Sequence, residues 1–502
     1  MAASICPLTM SELVPKDIPT FAVVGKVNMG KSSVLATLLE VDDDQVIRVS
    51  STPGETTRCQ ILPVEFDGRE MIRFIDTPGF ARPLEAMRAI EKLHSEVGSN
   101  QGSGLPGLAA IRAFVEEYGG SGEFEDECQL LGPLVDGAGL LYVVDPSKPL
   151  RDTFIAEMEI LRWTGRQRMA LLNEKEDEPA FREEWKSRLG SYFNLVRTFD
   201  AHEAQFDERR RLLKSLLEID EDHSRLIEET ISFLEDEWTQ RREESTEAII
   251  SFLEESLSYR VEKRVEERDM EMPHRREKLG QELSKRYYDK IAKMEKKAVE
   301  KVLHLYRHHL GRVEVTATDF TGIDLEQQET WQKWGLSRSQ LAIAGGVTGG
   351  TGGLAIDAST GFLSHGLGTV LGAVGGAAAA FWKGSELPDL ALDLQKGVKL
   401  AHGEGTALRL GPPKNENFAW ILLDSVLGHY REIVSRAHGK REELILGHEA
   451  MEGGIVQTIK GEDRRVLQKW FSSCAKGKPD RGLEPEVFTA LSEVLGVLSV
   501  EE

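Results

Sequence analysis

Cysteine is scarce in this chain of 502 residues: Cys6, Cys59, Cys128 and Cys474 stand far apart, without a CxxC pair or any metal-ligand spacing. That pattern supports neither a disulfide framework nor a zinc site, and it fits a reducing cytosol. Positive charge is also short. Lys and Arg total 62 against 84 Asp and Glu, a net charge of −22. This argues against nonspecific nucleic-acid binding, because phosphate contacts come mostly from lysine and arginine. Residues 1–19 lack the basic cluster and apolar core of a signal peptide, so the expected location is cytoplasmic. At this length two or three domains are expected.

The most informative segment is Gly25-Lys26-Val27-Asn28-Met29-Gly30-Lys31-Ser32, a complete GxxxxGK[ST] loop. It follows the apolar run Phe21-Ala22-Val23-Val24, which reads as a strand, and precedes a predicted helix over 33–39. Such a loop binds a nucleoside triphosphate. Gly25 and Gly30 let the backbone turn its N–H groups toward phosphates, with Asn28, Met29 and Ser33 lining the same cradle. Lys31 reaches the outer phosphates, and the Ser32 hydroxyl is placed for Mg²⁺. A second strand, Met71-Ile72-Arg73-Phe74-Ile75, ends in Asp76-Thr77-Pro78-Gly79, a DxxG segment. There Asp76 would hold Mg²⁺ through water and the Gly79 amide would sense the γ-phosphate. Between the two motifs lies the polar turn Ser51-Thr52-Pro53-Gly54-Glu55-Thr56-Thr57-Arg58, placed to close over the metal.

Taken together, GKVNMGKSS, PGETTR and DTPG resemble a TrmE/Era-type GTPase domain. The resemblance implies an α/β P-loop fold, a mostly parallel sheet with helices on both faces, that binds GTP and GDP. It assigns Thr57 as the switch threonine on Mg²⁺ beside Ser32 and Asp76, and gives Lys31, Thr57 and Gly79 the catalytic roles. Asn28 matches the phosphate-loop asparagine of potassium-stimulated members, which makes K⁺ a second expected cofactor, acting as a positive charge near the bridging oxygen. Phe80 follows Gly79 where Ras-like proteins carry a water-orienting glutamine, so intrinsic hydrolysis is expected to be slow. For the base, the resemblance points to Asn173 in Leu171-Leu172-Asn173-Glu174-Lys175-Glu176-Asp177. Glu174 occupies the stacking-lysine position, and the guanine-pairing carboxylate falls on Glu176, a methylene longer than usual. Asp200-Ala201-His202 follows a predicted last strand over 196–199 and would offer the Ala201 N–H to guanine O6.

The stretch from Asp76 to Asn173 is longer than the simplest members of that family need, and an insertion is expected at about 82–133. Residues 84–97 and 108–118 carry helical periodicity, and Leu140-Leu141-Tyr142-Val143-Val144-Asp145 restores a core strand. The insertion either moves with nucleotide state or is a static decoration. After about residue 203 the sequence is charged and nearly free of glycine. Leu226 or Ile227, Ile231, Leu234 and Trp238, then Leu279, Leu283, Tyr287, Ile291, Met294, Ala298, Val302 and Leu305 after Pro273, recur at helical spacing. They predict packed helices, as an intramolecular bundle or a coiled coil. Residues 341–382 then lack charge almost entirely, with Asp357 and His365 as the titratable exceptions. Gly345, Gly349 and Gly353, and Gly368, Gly372 and Gly376, repeat every four residues as a glycine zipper. The segment reads as an apolar hairpin, associated with a membrane or buried in protein. Beyond it the pattern is mostly helical, clearest over 418–434.

The expected organisation is an arm at 1–20, a GTPase domain at 21–203, a charged helical region at 204–335, the hairpin at 336–384 and a helical region at 385–502. This order resembles a bacterial family in which such a GTPase is fused to a C-terminal domain of uncharacterised function. Three functions are compatible with it. One is a GTP-hydrolysing switch coupled to a membrane-associating region and a protein effector, placed peripherally or integrally at the cytoplasmic membrane. The second is a dynamin-like, self-assembling membrane remodeller, and the third a soluble RNA or ribosome assembly factor.

Overall fold

The computed structural model describes residues 13–39, 59–66, 68–97, 105–174, 179–199, 206–266, 268, 272–306, 313–315, 393–400, 403–411, 417–435, 444–446, 455–459 and 461–499. The chain divides into two compact units, residues 1–239 with 435–442, and residues 240–434 with 443–502.

The first unit is built on a six-stranded sheet in the order β2-β3-β1-β4-β5-β6. Its strands are β1 (Thr20–Val24), β2 (Gln60–Phe66), β3 (Arg69–Asp76), β4 (Gly139–Val144), β5 (Arg168–Asn173) and β6 (Leu195–Phe199). β2 runs antiparallel to β3, and the other neighbours pair in parallel. Every residue of β1 is buried, as a strand covered by helices on both faces requires. Alternation divides it: Ala22 and Val24 enter one core with Phe114, Leu131, Tyr142 and Met158. Phe21 and Val23 enter the other with Val34, Leu35, Phe74 and Leu213. The N-terminal unit is therefore an α/β fold with a mostly parallel sheet, as expected from its motifs. Because β1 lies between β3 and β4, the chain leaves it at the switch point of the sheet, where open α/β folds bind ligands beyond the strand ends.

Helix α1 (Lys31–Leu39) follows β1. Between β3 and β4 lie α2 (Pro83–Val97), α3 (Leu108–Tyr118) and α4 (Glu125–Asp136). The first two match the periodic segments of the sequence closely. The third was not anticipated, because its apolar face is interrupted by Gly132 and Pro133, both buried. The sheet is completed by α5 (Asp152–Trp163), α6 (Arg182–Gly190) and α7 (Phe206–Leu217).

Helix α8 (Ser224–Ser258) belongs to both units, and the second adds α9 (Pro273–Leu305). Most of the predicted stripe is buried, Ile227, Ile231 and Leu234 on α8 and Leu283, Tyr287, Ile291, Ala298 and Val302 on α9, while Trp238, Leu279, Met294 and Leu305 are half-buried. Strands β7 (Val261–Arg264), β9 (Asp393–Leu400) and β10 (Gly403–Leu410) form an antiparallel sheet in the order β7-β10-β9, and β8 (Val313–Val315) pairs with β11 (Leu444–Leu446). Periodicity gave no warning of β9 and β10, whose sequences DLQKGVKL and GEGTALRL carry few β-branched or aromatic residues. Helices α10 (Asn417–Ser435), α11 (Gly461–Ala475) and α12 (Glu484–Leu498) complete the unit, α10 spanning the helix expected at 418–434. Among the described residues no helix is long and apolar enough to cross a membrane. The apolar hairpin at 341–382 lies outside the described residues.

Candidate functional site

The loop between β1 and α1 is fixed by close backbone approaches. Gly25 sits at φ +156°, and a Cβ there would stand 2.4 Å from the Val143 carbonyl oxygen of β4. Only glycine fits between the loop and the central strand. Asn28 takes a left-handed φ of 65°, a conformation that asparagine tolerates better than most residues. The Met29 N–H donates to the Lys26 carbonyl at 3.2 Å, and the Val34 N–H to Gly30 at 3.0 Å, so α1 starts directly from the loop. A helix leaves the N–H groups of its first turn without partners inside the helix, and a helix start that follows such a loop is the usual setting for a phosphate.

Lys31 is 9 % exposed, and its Nζ donates to the Gly25 carbonyl at 2.8 Å. Burial pulls its pKa below 10.5, and the nearby Asp76 and Glu157 carboxylates oppose that. Asp76 ends β3 opposite Val23 of β1. Thr77 clamps the next turn by donating its hydroxyl and its N–H to the Val23 carbonyl, at 2.9 and 3.3 Å. Gly79 is laid against the loop, where a Cβ would stand 3.1 Å from the Gly25 oxygen. The DxxG segment and the phosphate loop are therefore one packed unit. Ser32 and Asp76 contribute a hydroxyl and a carboxylate, hard oxygen donors that suit Mg²⁺. On the base side, the buried Asn173 donates its Nδ2–H to the Met29 carbonyl at 3.2 Å. Thr57, Glu176 and Ala201 lie outside the described residues.

Three groups escaped the motif reading. Behind the loop, Lys26 Nζ donates to Thr153 Oγ1 at 2.7 Å, pairs with Glu157 at 3.2 Å and sits 4.1 Å above the Phe154 ring. Glu157 is wholly buried on α5 and accepts a hydrogen bond from the Tyr142 hydroxyl at 2.8 Å. Burial pushes its pKa up to about 7 against the opposing pull of Lys26. A signal was present, since Glu157 stands one turn from both Phe154 and Leu161 on the apolar face. The second is Glu127 of α4, buried, which accepts the N–H groups of Ala81 and Arg82 at 3.0 and 2.5 Å. It ties the segment after Gly79 to the helices between β3 and β4. The third is Lys148, whose Nζ donates to the Asn28 carbonyl at 3.0 Å.

Comparison with known proteins agrees with this geometry. The family model described as 50S ribosome-binding GTPase (MMR_HSR1) matches residues 20–115, and that of a domain of unknown function (DUF3482) matches residues 186–484. The N-terminal unit is thus a P-loop GTPase domain. Over 79 residues, 16% of this chain, the sequence is 39% identical to GTPase Era of Vibrio cholerae serotype O1. It is likewise 35% identical over 79 residues, 16% of this chain, to GTPase Era of Cronobacter sakazakii. These matches span 22% and 24% of the two relatives.

Proposed function

The chain belongs to the DUF3482 family, and we propose that it is a GTP-hydrolysing switch whose N-terminal domain signals through the helical region to a membrane-associating hairpin. The observation that carries the enzymatic part is the single packed unit formed by the phosphate loop, the Asp76–Gly79 turn and Asn173. In this reading water attacks the γ-phosphate in line with the leaving diphosphate. The first-turn N–H groups of α1 hold the phosphate oxygens, and the Lys31 ammonium exchanges the Gly25 carbonyl for the outer phosphates. Ser32, Thr57 and Asp76 are the residues that would hold Mg²⁺, which would neutralise developing charge on the phosphates. The Gly79 amide reads the γ-phosphate, and its contact with Gly25 makes that turn responsive to the loop. Asn28, with its left-handed backbone and exposed side chain, is assigned to K⁺.

The membrane half of the proposal rests on sequence: a glycine-zippered stretch at 341–382 with two titratable residues. A second reading, ribosome binding, draws on the description of the GTPase family model. The net charge of −22 weighs against it.

Turnover of GTP and ATP by the full chain in K⁺ and in Na⁺, with and without liposomes, tests these assignments. GTP-selective turnover that Lys31→Ala abolishes supports the GTPase reading, and K⁺ stimulation supports Asn28. Liposome stimulation ties turnover to the hairpin. Equal use of ATP sinks guanine selectivity, and co-sedimentation with 50S subunits in place of liposomes favours the ribosomal reading.

A further inference from the structure

Glu174 stands directly after Asn173, where the resemblance calls for a lysine. Its carboxylate pairs with Arg182 Nε at 2.8 Å, and the side chain is mostly buried. A carboxylate cannot take over from an ammonium here, because the phosphate-loop carbonyls are acceptors. An ammonium is nonetheless present on the loop. Lys148 Nζ donates to the Asn28 carbonyl at 3.0 Å, and Asn173 Nδ2 donates to the adjacent Met29 carbonyl at 3.2 Å. Two consecutive carbonyls are thus gripped side by side, one from β5 and the other from the turn after β4.

The main chain of that turn is firmly built. The Trp185 indole N–H donates to the Lys148 carbonyl at 2.7 Å, and Trp185 is 0 % exposed. Its ring meets Phe154 edge-on at 5.0 Å, and Phe154 lies under Lys26 of the phosphate loop. Asp145 accepts the Ser147 N–H and hydroxyl at 3.0 and 2.6 Å, and the Phe181 N–H donates to Pro146 at 3.2 Å. The Lys148 side chain, by contrast, is 40 % exposed, and its Nζ also stands 3.9 Å from the Asp145 carboxylate.

We propose that Lys148 is the nucleoside-facing lysine of this chain: its stem covers one face of the guanine, and its ammonium, tied to Asn28, replaces the lysine absent at position 174. The inference rests on the GTPase reading above and deepens its base site. The long alkyl stem packs on a ring face as lysine stems pack on apolar surface elsewhere, while the charged end stays hydrogen-bonded.

Binding of a fluorescent GDP analogue to the full chain, with GTP as competitor, tests it. Lys148→Ala is expected to weaken GDP and GTP alike, by about tenfold to a hundredfold for the loss of a charge-assisted contact. Thermal unfolding without nucleotide should shift only slightly, because the side chain that makes the Asn28 contact is 40 % exposed. Adding Glu174→Lys to Lys148→Ala should return most of the lost affinity, because the ammonium then comes from β5. An unaffected Lys148→Ala variant, or a loss that Glu174→Lys does not recover, overturns the inference while leaving GTP binding intact. Failure of the wild-type chain to bind either nucleotide overturns the GTPase reading itself, and this inference falls with it.

Discussion

Glu157 places a titrating carboxyl group in the core behind the phosphate loop, and the pH dependence of stability should show it. In the folded chain its pKa is about 7, against an ordinary 4.5, with burial as the leading cause. Folding therefore favours the protonated form. For a group raised in this way, the contribution is complete below about pH 4.5, falls as pH rises and levels off above about pH 7. The gap between 4.5 and about 7 corresponds to about 3 kcal/mol. Glu157→Gln keeps an acceptor for the Tyr142 hydroxyl and removes the ionisation. The variant should therefore match wild type near about pH 5 and exceed it by about 2–3 kcal/mol near about pH 8. Urea unfolding of both nucleotide-free proteins across that range gives the difference directly. Its change with pH isolates this one group, since every other titration is shared. A difference that stays flat from about pH 5 to about pH 8 would refute the reasoning. It would mean that the Lys26 ammonium, 3.2 Å away, compensates fully for burial.

Other perturbations address neighbouring parts of the argument. Gly25→Ala drives a Cβ to 2.4 Å from the Val143 oxygen of a central strand. It should cost about 2–4 kcal/mol in thermal unfolding and abolish nucleotide binding. Glu127→Ala removes the acceptor of the Ala81 and Arg82 N–H groups. It should destabilise the first unit by about 1–3 kcal/mol and raise amide exchange at those two residues. In the second unit, burial lowers the His429 pKa to about 4 from 6.5. Its contribution is complete above about pH 6.5 and is lost as pH falls toward about pH 4, the opposite direction to Glu157. His429→Gln should therefore flatten acid destabilisation by about 3 kcal/mol, read by calorimetry of the two proteins.

Much of the N-terminal fold was legible because its strands are apolar runs with motifs at their ends: β1, β3, β4 and β6 lie where residues 21–24, 71–75, 140–145 and 196–199 indicated. The helices α2 and α3 were legible from periodicity. Helix α4 was not, since its glycine and proline speak against a helix locally and its buried packing overrides them. Strands β9 and β10 stayed hidden for the complementary reason: pairing with each other, and of β10 with the distant β7, makes strands of segments that carry little intrinsic β preference.

The same contrast separates the two halves of the candidate site. Phosphate recognition is local in sequence, because backbone N–H groups do the work and a short run of glycines, one lysine and one serine fixes their geometry. Lys31 and Gly79 both meet the Gly25 carbonyl, and Asp76 ends β3 opposite Val23. Base recognition draws on side chains from separate turns, and an ammonium over one carbonyl can be delivered from more than one strand end. Glu174 follows Asn173 where the resemblance calls for a lysine. Lys148, whose Nζ rests on the Asn28 carbonyl, lies in another turn, and nothing local in Asp145-Pro146-Ser147-Lys148 identifies it as a ligand. Its neighbour in space is Trp185, on a helix after the next strand, so the sequence signal is distributed across elements that only the fold brings together. A missing lysine beside Asn173 is therefore weak evidence against nucleotide binding in this fold, because an ammonium can reach the loop from an adjacent strand end without disturbing it.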